Sequence, residues 1–124
     1  MPSKIDDHRR KFNKEVKSGL LSMLVLLAID KDPKPSYGYR IIKTLERTSK
    51  GKFKFQEGTI YPILSSLSSK GLLSSYWGDA PEGPRRKYYK LTPNGKKALK
   101  VFLEDWSTIS HTVSDIVQTL EVRR

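Results

Sequence analysis

The sequence predicts a mainly helical domain with one two-stranded hairpin and a long C-terminal helix. Three observations carry this. Apolar residues recur at steps of three and four through four separate segments. Two short segments rich in aromatic residues flank a turn built from Gly78, Pro81, Gly83 and Pro84. After Gly95, nothing interrupts the helical pattern until about residue 120.

In the first segment Phe12, Val16, Leu20, Met23 and Leu27 follow helical spacing, and Leu21, Leu24, Val25 and Ala28 make its second half apolar nearly all round. Such a helix belongs at the centre of the core, and Asp6 and Asp7 suit its positive start. Residues 30–35 contain two prolines that disfavour helix before them, and Ser36 is placed to cap the next helix, expected over residues 37–49. Tyr37, Ile41, Ile42 and Leu45 share one face of that helix, while Arg40, Lys43, Glu46 and Arg47 lie on the other. Gly51-Lys52 then turns the chain.

Thr59 is the expected N-cap of a third helix, with Pro62 in its first turn, where a missing N–H does no harm. Ile60, Ile63, Leu64 and Leu67 give its buried face, and Gly71 its stop. Residues 72–77 and 85–91 read as the hairpin strands. Thr92-Pro93 pairs an N-cap with proline at the first helical position, and the helix that follows should span about 40 Å at 1.5 Å per residue. Residues 1–92 are therefore expected to form one domain that includes the N-terminal helix. Residues 93–124 add a dimerisation helix to the same compact unit.

That last helix carries Leu99, Phe102, Trp106, Ile109, Val113, Ile116 and Leu120 at alternating steps of three and four, a heptad seam. So long a seam exceeds what one small domain covers. The first helix covers part of it and a second copy the rest, giving a symmetric homodimer.

Helix, helix, short turn, helix, hairpin is the order of a winged helix-turn-helix, whose third helix enters the major groove while the hairpin, or wing, touches flanking backbone. The outward face of the third helix holds Thr59, Tyr61, Ser65, Ser66 and Ser69 and no acid, so it can lie against phosphates and base edges without repulsion. A solvated serine face is the plainer alternative. At the wing tip, Arg85, Arg86 and Lys87 suit phosphate or minor-groove contact, although a charge run is also simply a solvated tip. The basic residues Arg9, Arg10, Lys11, Lys14 and Lys17 either add phosphate contacts or keep the chain soluble.

Charge agrees with a polyanionic partner: 24 Lys and Arg against 13 Asp and Glu leave a net charge of +11. There is no cysteine, which excludes disulfides, thiolate metal sites and thiol nucleophiles. The longest apolar run, residues 20–29, is broken by Ser22 and falls short of the roughly 20 residues needed to cross a bilayer. Residues 1–17 are polar, unlike a signal peptide, so a cytoplasmic protein is expected. Neither a glycine-rich phosphate loop, a nucleophile elbow nor a carboxylate pair in an active-site setting is present, which argues against an enzyme. His8 and His111 lie far apart without companion ligands, Asp30, Asp32, Glu104 and Asp105 read as surface acids or turn formers, and no metal or cofactor is expected.

Several pieces occur together: Tyr37-Gly38-Tyr39, Glu57-Gly58-Thr59-Ile60-Tyr61-Pro62, Lys70-Gly71-Leu72, Trp77, Arg85-Arg86-Lys87-Tyr88-Tyr89 and Leu91-Thr92-Pro93-Asn94-Gly95. In this combination, which covers the chain from about Gly19 to Trp106, the sequence resembles the PadR family of transcriptional regulators. The resemblance implies a winged-helix homodimer, usually a repressor, that binds a palindromic operator in double-stranded DNA. It places Thr59, Tyr61 and Pro62 at the start of the recognition helix and Arg85, Arg86 and Lys87 in the wing. In members that respond to drugs or other aromatic molecules, a tryptophan at the place of Trp106 lines a ligand pocket between subunits, so an aromatic effector is implied; plain interface packing is the alternative for this residue. Two other readings remain: an architectural protein that coats DNA without sequence choice, and a winged helix that docks protein.

Overall fold

The computed structural model describes residues 3–81 and 83–122. Four helices and one hairpin follow in order: α1 (Lys4–Lys31), α2 (Gly38–Thr48), α3 (Glu57–Ser69), β1 (Leu73–Gly78), β2 (Arg86–Leu91) and α4 (Pro93–Val122). This is a mainly helical winged helix-turn-helix with a long C-terminal helix. Among the described residues, no helix is long and apolar enough to cross a membrane.

The core forms where the second half of α1 meets α2, α3, the hairpin and the start of α4. Leu21, Val25 and Leu26 of α1, Ile41 of α2 and Ile60 and Leu64 of α3 are essentially sealed from solvent. Each such side chain contributes about 1.5–3 kcal/mol on burial. Leu73, Tyr89 and Leu91 close the core from the hairpin and Leu99 from α4. Leu99, expected at the head of the intersubunit seam, is thus covered by its own chain and is removed from the expected interface. Phe12 and Val16 depart from expectation in the opposite sense. They continue the apolar stripe of α1 but lie beyond the last core element, and both are exposed.

Capping explains the helix ends, with two shifts from the sequence expectation. Ser3 opens α1 with a reciprocal capping box: its hydroxyl accepts from the Asp6 N–H, and the Asp6 carboxylate accepts from the Ser3 N–H. Thr92 opens α4 as expected, its Oγ1 accepting from the Gly95 N–H at 3.0 Å. Gly95 packs so closely on the Leu72 backbone that a Cβ there would overlap the carbonyl, which fixes the angle between α4 and the hairpin. Ser36, however, does not cap α2. It is buried in the connection, its carbonyl accepts from the Tyr89 N–H at 2.9 Å, and this short third-strand contact ties the wing to the body. Thr59 is likewise not the N-cap of α3: the helix begins three residues earlier, with Gln56 at the N-cap, so Pro62 lies in the second turn and leaves the Gly58 carbonyl without its helical donor. Gly58 and Pro62 are both exposed, so solvent can satisfy that oxygen.

The hairpin pairs Tyr76 with Tyr88, Trp77 with Lys87 and Gly78 with Arg86 in antiparallel register. Arg85 falls in the connecting loop rather than in the strand.

Candidate nucleic-acid interface

Helical geometry sorts the α3 side chains. Ile60, Leu64 and Leu67 hold one face in the core, which turns Thr59, Pro62, Ser65 and Ser69 outward, with Ser66 half-buried at the margin. Ser69 donates to the Ser66 carbonyl at 3.0 Å, so its hydroxyl is partly committed within the helix. The earlier start of α3 also brings one carboxylate, Glu57, into its first turn, so the helix is acid-free only from Gly58 onward.

Tyr61 plays two parts. It is 43% exposed, yet the tip of its ring rests on Gly38 at the start of α2, where a Cβ would come within 2.6 Å of Cζ and the hydroxyl oxygen. Burial of that hydroxyl pushes its pKa above the ordinary value, with Glu57 adding to the effect. Glycine at position 38 is thus a steric requirement of Tyr61.

Aromatic packing braces the wing. Tyr88 stacks on Tyr76 across the strands at 5.6 Å and meets the Tyr37 ring edge-on at 5.9 Å, and its ring leaves no room for a side chain at Gly78. The Arg86 guanidinium lies 4.2 Å from the centre of the Tyr37 ring, and the Lys87 ammonium 6.0 Å from the Trp77 ring across the strands. Arg85 remains exposed, with its guanidinium 3.8 Å from the Asp79 carboxylate, a solvated pair of little energetic weight. Arg85, whose Nη2 also donates to the Trp77 carbonyl at 3.4 Å, and Lys87 are exposed to solvent, while Arg86 is held half-buried against the body. Tyr37 and Gly38, adjacent in sequence, serve as the joint: one supports the wing through Arg86 and Tyr88, the other receives Tyr61 of α3. Helical spacing alone puts Tyr37 on the apolar face of α2, and the Tyr-Gly-Tyr run is the sequence signal for this joint.

A second support has no such signal. Asp32, by sequence a turn former, is almost sealed and accepts from Arg40 Nε and Nη2 at 2.5 and 2.7 Å, from the Lys34 N–H and from the Ser36 hydroxyl. The Arg40 hydrogen bonds hold its carboxyl below the usual range against the opposing effect of burial. This pair fixes the α1–α2 connection that carries Ser36 and hence the wing.

Along α4, Phe102, Trp106, Ile109, Val113, Ile116 and Leu120 are all exposed, as are Leu103 and Val117 beside them. The apolar face is wider than the heptad positions alone. Trp106 lines a cleft of about 260 Å³ between α1 and α4, with Gly19, Leu20, Met23, Phe102 and Ile109 around it and Asp105 at its edge.

A sequence profile of the PadR-like family of transcriptional regulators matches residues 25–101, from the core half of α1 through the wing into α4. The chain belongs to that family. As a PadR-like protein it is a transcriptional regulator and not an enzyme. Its fold is similar to that of a PadR-family transcriptional regulator from Eggerthella lenta, with a TM-score of 0.79 and 30% identity over 91% of this chain and 95% of that one. A transcriptional regulator from Clostridium thermocellum gives 0.71 and 30% over 82% and 93%. An uncharacterized protein of Lysinibacillus sphaericus is 28% identical over 106 residues, 86% of this chain and 94% of its own.

Proposed function

We propose that this PadR-like regulator works as a homodimer that binds a palindromic operator in double-stranded DNA and represses transcription. In this reading α3 reads the major groove through Thr59, Tyr61, Pro62, Ser65 and Ser66, and Arg85 and Lys87 grip the backbone beside it, with Arg86 orienting the wing. One observation carries it: Tyr61 of α3 rests on Gly38 and Arg86 of the wing on the adjacent Tyr37, so recognition helix and wing are held in one fixed relation to each other.

Dimerisation is supported by the exposed row from Phe102 to Leu120, which a second copy covers with the same residues. The cleft beside Trp106 is apolar and open toward that row, which supports a planar aromatic effector as the signal that relieves repression. Competition binding tests the reading. A regulator prefers its own promoter over random duplex by roughly a thousandfold or more at physiological salt. Equal affinity for both duplexes would instead make the protein an architectural binder, for which the net charge of +11 alone supplies affinity.

A further inference from the structure

The basic N-terminal half of α1 takes no part in the site described so far. It projects beyond the core, and its residues from Lys4 to Val16 are all exposed. Two stripes run along it. Ile5, Phe12 and Val16 form an apolar one; Arg10, Lys14 and Lys17 form a basic one roughly 0.4 of a turn away at 3.6 residues per turn, with Arg9 on the margin between the two. The basic stripe overlooks Lys54 and Thr59 across a cleft of about 910 Å³ that opens along the start of α3.

The charges in this cleft are unevenly committed. Arg10 pairs with Asp7 at 2.7 Å, both side chains largely exposed. Lys17 donates to the Lys52 carbonyl at 2.8 Å and lies 5.3 Å from the centre of the Phe53 ring, so it braces α1 against the α2–α3 connection. Arg9, Lys14 and Lys54 have no carboxylate partner among the described residues, and Asp6 is the sole acid lining the cleft. Glu57, the acid in the first turn of α3, does not line it. Concentrating like charges in a concave wall stabilises nothing within the monomer; it raises the local potential for an anion.

We propose that this cleft is a second phosphate-binding track for duplex DNA, seating the backbone that flanks the segment read by α3. Continuity decides the occupant: Thr59 belongs both to the cleft wall and to the outward face of α3, so backbone leaving the recognition helix at its N-terminal end runs directly into the cations. Ile5, Phe12 and Val16 do not line the cleft. The track rests on the DNA-binding reading and adds to its footprint.

The variant Arg9→Ala with Lys14→Ala removes two exposed cations and leaves the core untouched. Its affinity should be compared with wild type on two duplexes: the footprinted operator trimmed to its half-sites, and the same operator extended by about one helical turn, ~10 bp, at each end. On the extended duplex the variant should bind roughly tenfold more weakly at low salt, with a slope of log affinity against log salt shallower by about 0.9 for each phosphate no longer neutralised. On the trimmed duplex the two proteins should match, and Arg9→Lys with Lys14→Arg should restore binding to the extended one. An unchanged slope on the extended duplex, or equal losses on both, would overturn the track while leaving the DNA-binding reading intact. A wild-type protein that fails to prefer the operator at all would overturn both.

Discussion

Adding one methyl group at Gly38 probes the joint between recognition helix and wing. In Gly38→Ala the new Cβ would meet Tyr61 Cζ and its hydroxyl oxygen at 2.6 Å and Cε1 at 2.8 Å. Ordinary carbon contacts lie at about 3.5–4.0 Å, so the ring tip must retreat by about 1 Å. Over-packing of this kind costs about 1–3 kcal/mol, whereas replacing helical glycine by alanine stabilises by up to about 1 kcal/mol. The net effect in wild type is then a loss of about 0–3 kcal/mol. In a Tyr61→Ala background the clash is absent, and the same substitution should become neutral or stabilising. The expected coupling between the two positions is therefore about 1–3 kcal/mol. Urea unfolding of the four proteins at one fixed concentration measures it, the fixed concentration being needed because association adds to apparent stability. Gly38→Ala should also weaken operator binding more than binding to random duplex, since the displaced phenol belongs to the groove-facing side. Additivity within about 0.5 kcal/mol would show that Tyr61 does not depend on Gly38 and would dissolve the joint.

Other consequences follow from the same geometry. Asp32 has a lowered pKa in the fold, so its contribution to stability is complete above the unfolded value near 3.8 and is lost as pH falls through the lower folded value; Asp32→Asn should lower stability at neutral pH and flatten the acid limb of the stability profile, and an unaltered limb would remove the Arg40 pair as its cause. Ile109→Glu sets a charge into the exposed seam of α4 and should convert a sedimenting dimer into a monomer that binds any duplex weakly and with strong salt dependence, whereas a variant that still dimerises would place the interface elsewhere. Arg85→Ala with Lys87→Ala should make the salt slope shallower by about 0.9 for each phosphate released, without altering the unfolding midpoint, while Arg86→Ala should lower that midpoint as well because its guanidinium packs on Tyr37. In a Trp77→Phe background, where Trp106 is the one indole left, planar aromatic compounds should quench tryptophan fluorescence, and Trp106→Ala should abolish their binding as measured by calorimetry; unchanged binding to that variant would place the effector away from the α1–α4 cleft.

The helices and hairpin were legible because each follows from local periodicity. Ile60, Leu64 and Leu67 could only face inward together, and Thr92-Pro93 marks the start of α4 through capping chemistry that needs no tertiary context. Ser36 and Thr59 were misplaced for a different reason. Both are good caps by residue type, but Ser36 is held by a strand contact from Tyr89, far along the chain, and α3 begins earlier on the weaker signal of Gln56-Glu57. The Asp32–Arg40 pair and the Tyr61–Gly38 contact were hidden because they depend on how α1, α2 and α3 cross. Leu99 shares the heptad spacing of Phe102 and Trp106, and nothing in that spacing tells where the domain core ends and the open face begins.

Footprinting on the DNA upstream of its own gene, in excess random duplex, tests the DNA-binding reading most directly. A dimer with paired recognition helices should protect two half-sites related by a dyad and centred about 10 bp, or a multiple of that, apart. Protection that spreads evenly along the fragment, or that disappears under the competitor, would contradict a dimeric operator-specific regulator.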